Sequence, residues 1–250
     1  MVKTVRWKIA QDSEKEYWNL FTKKQLFRKF GGIYLEKNKI LLKEWSKYLD
    51  INKNTKILQI GCAALDIINY IPSGKKYAID PLADYFKEKF KIDYKPTKFI
   101  RGVGEDLPFV DNSFDIVILA NVLDHMKSPE KALFEIKRVL KPNGIFYLET
   151  HVSQSIFLII SKIWGFLKEN FTGKMFNIHH PYMFSLNDIK KMVLDKFKII
   201  EENLGRDIGR SKDFEEFKIQ KKKDKKIRIR LLANLGIYGE ICYGCILKKY

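Results

Sequence analysis

Cysteine is scarce in this chain of 250 residues: Cys62, Cys242 and Cys245 are too few for the multi-bridge framework of a small secreted domain. Long apolar runs are missing too. None reaches the roughly 18 residues that a membrane-spanning helix needs. Met1 to Arg6 lacks the apolar core of a signal peptide. These absences place the chain in the cytosol. Acidic residues are outnumbered, 30 against 47 lysines and arginines, for a formal net charge of +17. Such a balance suits nucleic acid, an anionic membrane surface or an acidic substrate. Lysine is spread through most predicted elements, however, as on solvated faces, and only Lys221 to Lys226 is dense. No aromatic residues interleave with that cluster, so no specific nucleic acid is predicted as a partner. A hydrophobic share of 46% excludes wholesale disorder.

What is present is organised around Lys56-Ile57-Leu58-Gln59-Ile60-Gly61-Cys62, which reads as a buried strand breaking into a tight turn. A second strand over Lys76 to Ile79 delivers Asp80, nineteen residues past Gly61. In open α/β sheets a glycine at such a turn lets backbone approach a ligand, and an acid about 20 residues on takes a ribose diol.

Ser13-Glu14-Lys15-Glu16 has the form of a capping box. It predicts an aromatic-rich helix ended by Gly31-Gly32, and a second helix carries Leu41, Leu42, Trp45, Tyr48 and Leu49. Residues 1–50 are thus expected to form a helical cover over the ligand edge, with core packing as the alternative. Ala63 to Tyr70 and Ala83 to Phe90 suggest helices, and Phe99 to Arg101 and Phe114 to Ala120 strands. Ser128-Pro129 suits a helix start, and Ile145 to Leu148 is the fifth strand. This alternation predicts a Rossmann-like α/β fold, with a mostly parallel sheet and helices on both faces. Ile156 to Leu167 is apolar but too short to span a bilayer; it is expected to be buried or to cover substrate, with membrane contact as the alternative. A helix capped at Ser185 and a strand over Phe197 to Ile200 follow. The charged stretch within 205–230 reads as a mobile insertion before a closing strand, Ile241 to Leu247.

Glu105-Asp106-Leu107-Pro108-Phe109-Val110-Asp111-Asn112-Ser113-Phe114-Asp115, followed by Leu140-Lys141-Pro142-Asn143-Gly144, resembles the signatures of class I S-adenosylmethionine-dependent methyltransferases. Within them it resembles the small-molecule group that includes quinone-biosynthesis enzymes. The resemblance implies a seven-stranded sheet with its last strand antiparallel, over a domain spanning 51–250. Residues 151–184 become the substrate cover. S-adenosylmethionine is the implied cofactor: Gly61 lies against its methionine part, Asp80 takes the ribose hydroxyls, backbone near Gly104 and Glu105 faces adenine, and Asn121 lines the methionine end. The family's first motif reads acid-x-Gly-x-Gly-x-Gly; here Gln59 stands for the acid, and Ala63 and Leu65 for two glycines. Val103 replaces the family's adenine-binding aspartate.

Methyl transfer needs an aligned acceptor and, for a hydroxyl, a general base. The base candidates are His125, His151 and His180, with His179 the chain's other histidine; each has a structural role as its alternative. His179-His180-Pro181-Tyr182-Met183-Phe184 resembles a segment of surface-glycan methyltransferases, so the acceptor is expected to be a small molecule or a glycan. The spacing of Cys242 and Cys245 on a strand points them to opposite faces, and no metal site is expected. Lys221 to Lys226 could touch an anionic surface. Two other readings stand beside the enzyme: a scaffold of this fold that has lost its cofactor, motivated by the altered glycines, and a nucleic-acid methyltransferase, motivated by charge. The second lacks the Asn/Asp-Pro-Pro-Tyr box of amino-methylating enzymes.

Overall fold

The strand Phe114–Ala120 shows why the sheet is covered on both faces. Ile116, Ile118 and Ala120 face one apolar cluster, with Leu41 and Trp45, while Val117 and Leu119 face another, with Leu133 and Ile136. Every second residue belongs to the same face, so the unbroken apolar run from Ile116 to Ala120 needs helices on both sides. The computed structural model describes residues 2–64, 66–91, 94–172, 180–207 and 211–250. Its strands are β1 (Lys56–Ile60), β2 (Lys75–Asp80), β3 (Lys98–Arg101), β4 (Phe114–Ala120), β5 (Leu140–Val152), β6 (Phe197–Leu204) and β7 (Ile241–Lys249). They form one sheet in the order β3-β2-β1-β4-β5-β7-β6, and β7 runs antiparallel to both its neighbours. The expected seven-stranded, mostly parallel α/β sheet is observed.

The helices are α1 (Val2–Asn19), α2 (Lys23–Leu26), α3 (Gly32–Trp45), α4 (Ala83–Phe90), α5 (Pro129–Val139), α6 (Ser155–Thr172), α7 (Leu186–Leu194), α8 (Phe214–Lys222) and α9 (Ile227–Asn234). Several local expectations fail for identifiable reasons. The first helix begins at Val2, not Ser13: no glycine or proline interrupts 2–19, and Ser13 is buried inside it. The working capping box is at Thr22, whose hydroxyl accepts from Gln25 N at 3.3 Å while Gln25 Oε1 accepts from Thr22 N at 2.8 Å. Gly31 and Gly32 do not end a helix. Both are helical, and a π turn over Phe27–Gly31 joins α2 to α3; a Cβ on Gly31 would sit 3.1 Å from the Tyr70 hydroxyl. In place of the helix expected over 63–70 there is a single 3₁₀ turn, Ile67–Tyr70, capped by Asp66 Oδ1 accepting from Ile67 N at 2.6 Å.

Residues 211–226 are not a loose insertion. Asp213 caps α8, and Phe214 and Phe217 pack on Tyr238. Ser128 makes no side-chain cap on α5; Glu105 Oε1 accepts from Lys127 N and Ser128 N at 2.7 and 3.1 Å instead.

One buried ion pair fastens the N-terminal helices to the sheet. Lys37 of α3 donates to Glu149 of β5, and Glu149 also accepts from Asn121 Nδ2 at 2.9 Å and Tyr147 Oη at 2.7 Å. Burial opposes both charges, but their attraction outweighs it: Lys37 is held above and Glu149 below its ordinary range. Trp45, about two helix turns farther on, is fully buried against Tyr147 at a centroid distance of 5.7 Å. Removing one member of such a pair leaves the other as an uncompensated buried charge. Lys37→Met is therefore expected to cost about 3 kcal/mol in urea unfolding, and Lys37→Met with Glu149→Gln to recover most of that loss.

Candidate active site

The site lies at the carboxyl ends of β1, β2 and β4, where the parallel crossovers leave a cleft. Leaving β1, the chain turns at Gly61, which has φ +67° and donates from N to Ile79 O at 2.8 Å. A Cβ there would fall 2.4 Å from both Val122 methyls, so glycine is required for close approach as well as for φ. Ala63 follows at φ +45°. The turn therefore keeps left-handed backbone at the second glycine position, with an alanine in it. Ala63 N donates to Asp80 Oδ2 at 2.9 Å, and this bond holds the strained residue. Leu65 lies outside the described residues.

Asp80 lines the cleft, but it is buried and its Oδ1 also accepts from Leu82 N, at 2.8 Å. Burial raises its pKa to about 6 against the pull of the two backbone donors. Each oxygen has a second lone pair for a ribose hydroxyl. Gln59, fully buried, accepts from Ile68 N at 2.8 Å, so the amide that stands for the family's acid pins the 3₁₀ turn.

The cleft has two lobes. The apolar lobe, about 40 Å³, lies between Trp7, Ile79, Gly102, Val103, Gly104 and Met126. The Glu105 backbone borders it, while the side chain turns away to α5 as described. Gly104 has no room for a side chain: a Cβ would meet Met126 Cε at 2.7 Å. The polar lobe, about 170 Å³, is lined by Glu14, Lys37, Asp66, Asp80 and Asn121. Asn121 holds φ +56° as it leaves β4. Asp66 is pushed up to about 7 by burial, which Lys37 only partly offsets. An apolar slot, a carboxylate midway and a polar end with both a cation and carboxylates fit a nucleoside bearing an α-amino-acid tail. S-adenosylmethionine has that form. Trp7, Gln11 and Glu14 of α1 and Lys37 of α3 face the cleft.

Beyond the cleft, Asp124 gathers two histidines. Asp124 Oδ2 lies 2.6 Å from His180 Nδ1, Asp124 Oδ1 lies 3.9 Å from His125 Nε2, and the two imidazoles are 4.5 Å apart. His125 lines both lobes. Burial of Asp124 would raise its pKa, yet the neighbouring histidines draw it down to about 2. Burial opposes charge on His180, and the bond to Asp124 overrides this, so its pKa is raised. Ligand atoms of these three residues lie within 4.8 Å of one another, a set that could close on a borderline cation such as zinc. The sequence pointed to no metal site. His151 stands on β5 opposite Cys242, half-buried, and does not line the cleft. His179 lies outside the described residues. Cys62, Cys242 and Cys245 are buried free thiols.

Trp7, Lys37, Asp66 and Asp124 escaped sequence reasoning. Trp7 precedes the misplaced helix start, and Lys37 is one of 47 cations. Asp124 carried a usable signal: an acid beside a histidine just past a strand end.

Two outcomes follow from this geometry. Ala63→Gly relieves the left-handed alanine, so it is expected to stabilise by about 1 kcal/mol, a rise in melting temperature of about 2–4 °C. The raised Asp66 pKa means that the folded state holds a proton the unfolded chain releases. Its stabilising effect is full below about pH 4 and is lost as pH rises through 7. Asp66→Asn should match the wild type near pH 4 and exceed it at pH 8.5 by about 2–4 kcal/mol in chemical unfolding.

Residues 58–148 match the family described as a methyltransferase domain. Among curated proteins, the chain is 33% identical over 107 residues to a thiol S-methyltransferase of Rattus norvegicus, covering 39% of this chain and 43% of that protein. It is also 33% identical over 127 residues to a demethylmenaquinone methyltransferase of Staphylococcus aureus, covering 47% and 52%. The chain thus spans about half the length of these relatives, or less. Among solved structures, a SAM-dependent methyltransferase of Methanosarcina mazei superposes with a TM-score of 0.54 at 16% identity, covering 82% of this chain and 95% of that one. That likeness concerns the fold. Residues 58–148 thus resemble a methyltransferase domain in sequence, and they lie in a seven-stranded sheet whose fold is shared with a solved methyltransferase.

Proposed function

We propose that the protein transfers a methyl group from S-adenosylmethionine to a small-molecule acceptor through an ionisable hydroxyl or thiol. The observation that carries this reading is the 2.6 Å contact of Asp124 Oδ2 with His180 Nδ1, one ring away from the cleft-lining His125. When bound, the cofactor supplies an electrophilic methyl on a sulfonium. The apolar lobe would take its adenine, Asp80 its ribose, and Lys37, Asp66 and Asn121 its amino-acid end.

The bond to Asp124 fixes the neutral imidazole tautomer with its proton on Nδ1, which makes Nε2 the basic nitrogen. His180 then removes the acceptor proton as the acceptor becomes a nucleophile, and the Asp124 carboxylate holds the resulting imidazolium. The curated relatives act, by name, on a thiol and on demethylmenaquinone, and a thiol carries an acidic X–H group of the kind proposed.

Calorimetric titration with S-adenosylmethionine and S-adenosylhomocysteine tests the first half. Micromolar binding weakened by Asp80→Asn is expected, whereas no binding up to millimolar cofactor would leave a scaffold of this fold. A screen of thiols and quinols, read by S-adenosylhomocysteine release, tests the second. His180→Ala should lower the rate about 10²-fold. Because His180 must be neutral to act and its pKa is raised, the rate should rise with pH through a midpoint above the ordinary histidine value of about 6.5. Asp124→Asn should move that midpoint down. An unchanged profile would refute His180 as the base.

A further inference from the structure

Helix α6 is built inside out. Its buried positions are Ser161 and Gly165, whereas Ile156, Ile159, Ile163, Trp164, Phe166 and Phe171 are exposed. Phe166 is 68% and Phe171 84% accessible, values normal for lysine and far from normal for phenylalanine in a helix interior. At 100° per residue these six side chains span about 160° of one face. The sequence led us to expect this segment to be buried or to cover substrate; the structure turns its apolar face away from the sheet. A contiguous apolar patch of this kind marks an interaction surface.

Helix α9 repeats the pattern at the same junction. Ile227, Leu231 and Leu235 form an exposed i, i+4, i+8 stripe. Exposed Arg228 and Arg230 flank it, and Lys225 and Lys226 precede it, with no acid anywhere in 225–235. The loop after α9 lies flat on the first turns of α6. Gln154 N donates to Tyr238 O at 3.0 Å and Tyr238 N to Gln154 Oε1 at 2.8 Å, and a Cβ on Gly239 would fall 2.2 Å from the Phe157 ring. The start of α6 and the segment that follows α9 are therefore in contact.

We infer that α6 and α9 dock this protein on an anionic phospholipid surface. Charge selects that occupant. The apolar stripes carry cations at their borders, Lys162 and Lys168 (the latter beside Glu169) on α6 and the arginines on α9, and the chain as a whole has a net charge of +17. Helices with an apolar face bordered by lysine, arginine and tryptophan lie in the headgroup region instead of crossing the bilayer. Among the described residues no helix is long and apolar enough to cross a membrane, so the contact is peripheral. Trp164 sits on the face that would enter the interface, where its amphipathic ring is favoured.

The test uses the full chain and vesicles of phosphatidylcholine alone or mixed equally with phosphatidylglycerol. Flotation should show binding to the mixed vesicles, weak binding to pure phosphatidylcholine, and loss of binding at high salt. Brominated lipid should quench tryptophan emission, and Trp164→Phe should remove most of that quenching. Ile159→Asp with Ile163→Asp should weaken vesicle binding at least about tenfold while leaving the melting temperature and cofactor titration unchanged. Reversing Lys225, Lys226, Arg228 and Arg230 to glutamate should abolish the preference for phosphatidylglycerol. Absence of binding to the mixed vesicles would overturn the proposal, as would binding that survives the paired aspartates. A wild-type dimer in solution that Ile163→Asp converts to monomer would overturn it in favour of a second copy of the chain.

Discussion

The bond between Lys37 and Glu149 is the constraint on which the rest of the arrangement depends. A lysine and a glutamate that are both out of water hold their charges only while they hold each other. The pair fixes α3 against β5, and α3 in turn brings Trp45 under the sheet and Lys37 to the cleft wall. Asn121 and Tyr147 donate to the same carboxylate, and Asn121 thereby ties the chain leaving β4 to β5. A cover fastened this way is a wall of the site as much as a lid over it.

The cleft shows what happens when glycines leave a turn whose path must be kept. Ala63 retains the left-handed backbone, and Asp80 holds it there through the amide of the same residue. The acid assigned to the ribose is thereby also a structural strut, which explains its burial and raised pKa. Asp124 has a similar double position: its backbone carbonyl accepts from Tyr182 N at 3.2 Å while its carboxylate meets His180. Distant segments of chain are drawn to the sheet edge by these contacts.

Much of the fold was legible because sheet burial leaves periodic marks. The continuous apolar run of β4, the glycine turn after β1 and the Leu-Lys-Pro-Asn-Gly turn before β5 each follow from local rules. The N-terminal cover was not legible in detail. Ser13 has the spelling of a cap but lies mid-helix, because nothing upstream stops the helix. Residues 63–70 have helical composition, yet Asp66 and Gln59 divert them into a single turn. Gly61, Asp80, Gly104 and Asn121, named from the motifs, all line the cleft. Lys37, Asp66 and the Asp124–His180 contact could not be read, since they depend on tertiary neighbours 28 to 112 residues apart in sequence or on environment alone.

The place of β7 bears on how the chain comes together during synthesis. It comes last in sequence among the seven strands, yet it lies between β5 and β6 and forms the widest pairings in the sheet. Until Ile241–Lys249 has left the ribosome, β5 and β6 each present an unpaired edge, which is a template for association with other chains. The sheet therefore closes only after β7 has emerged, and the β5–β7 pairing spans a long stretch of sequence. A nascent chain of this topology has a long interval in which binding by a chaperone would matter more than the final stability of the fold.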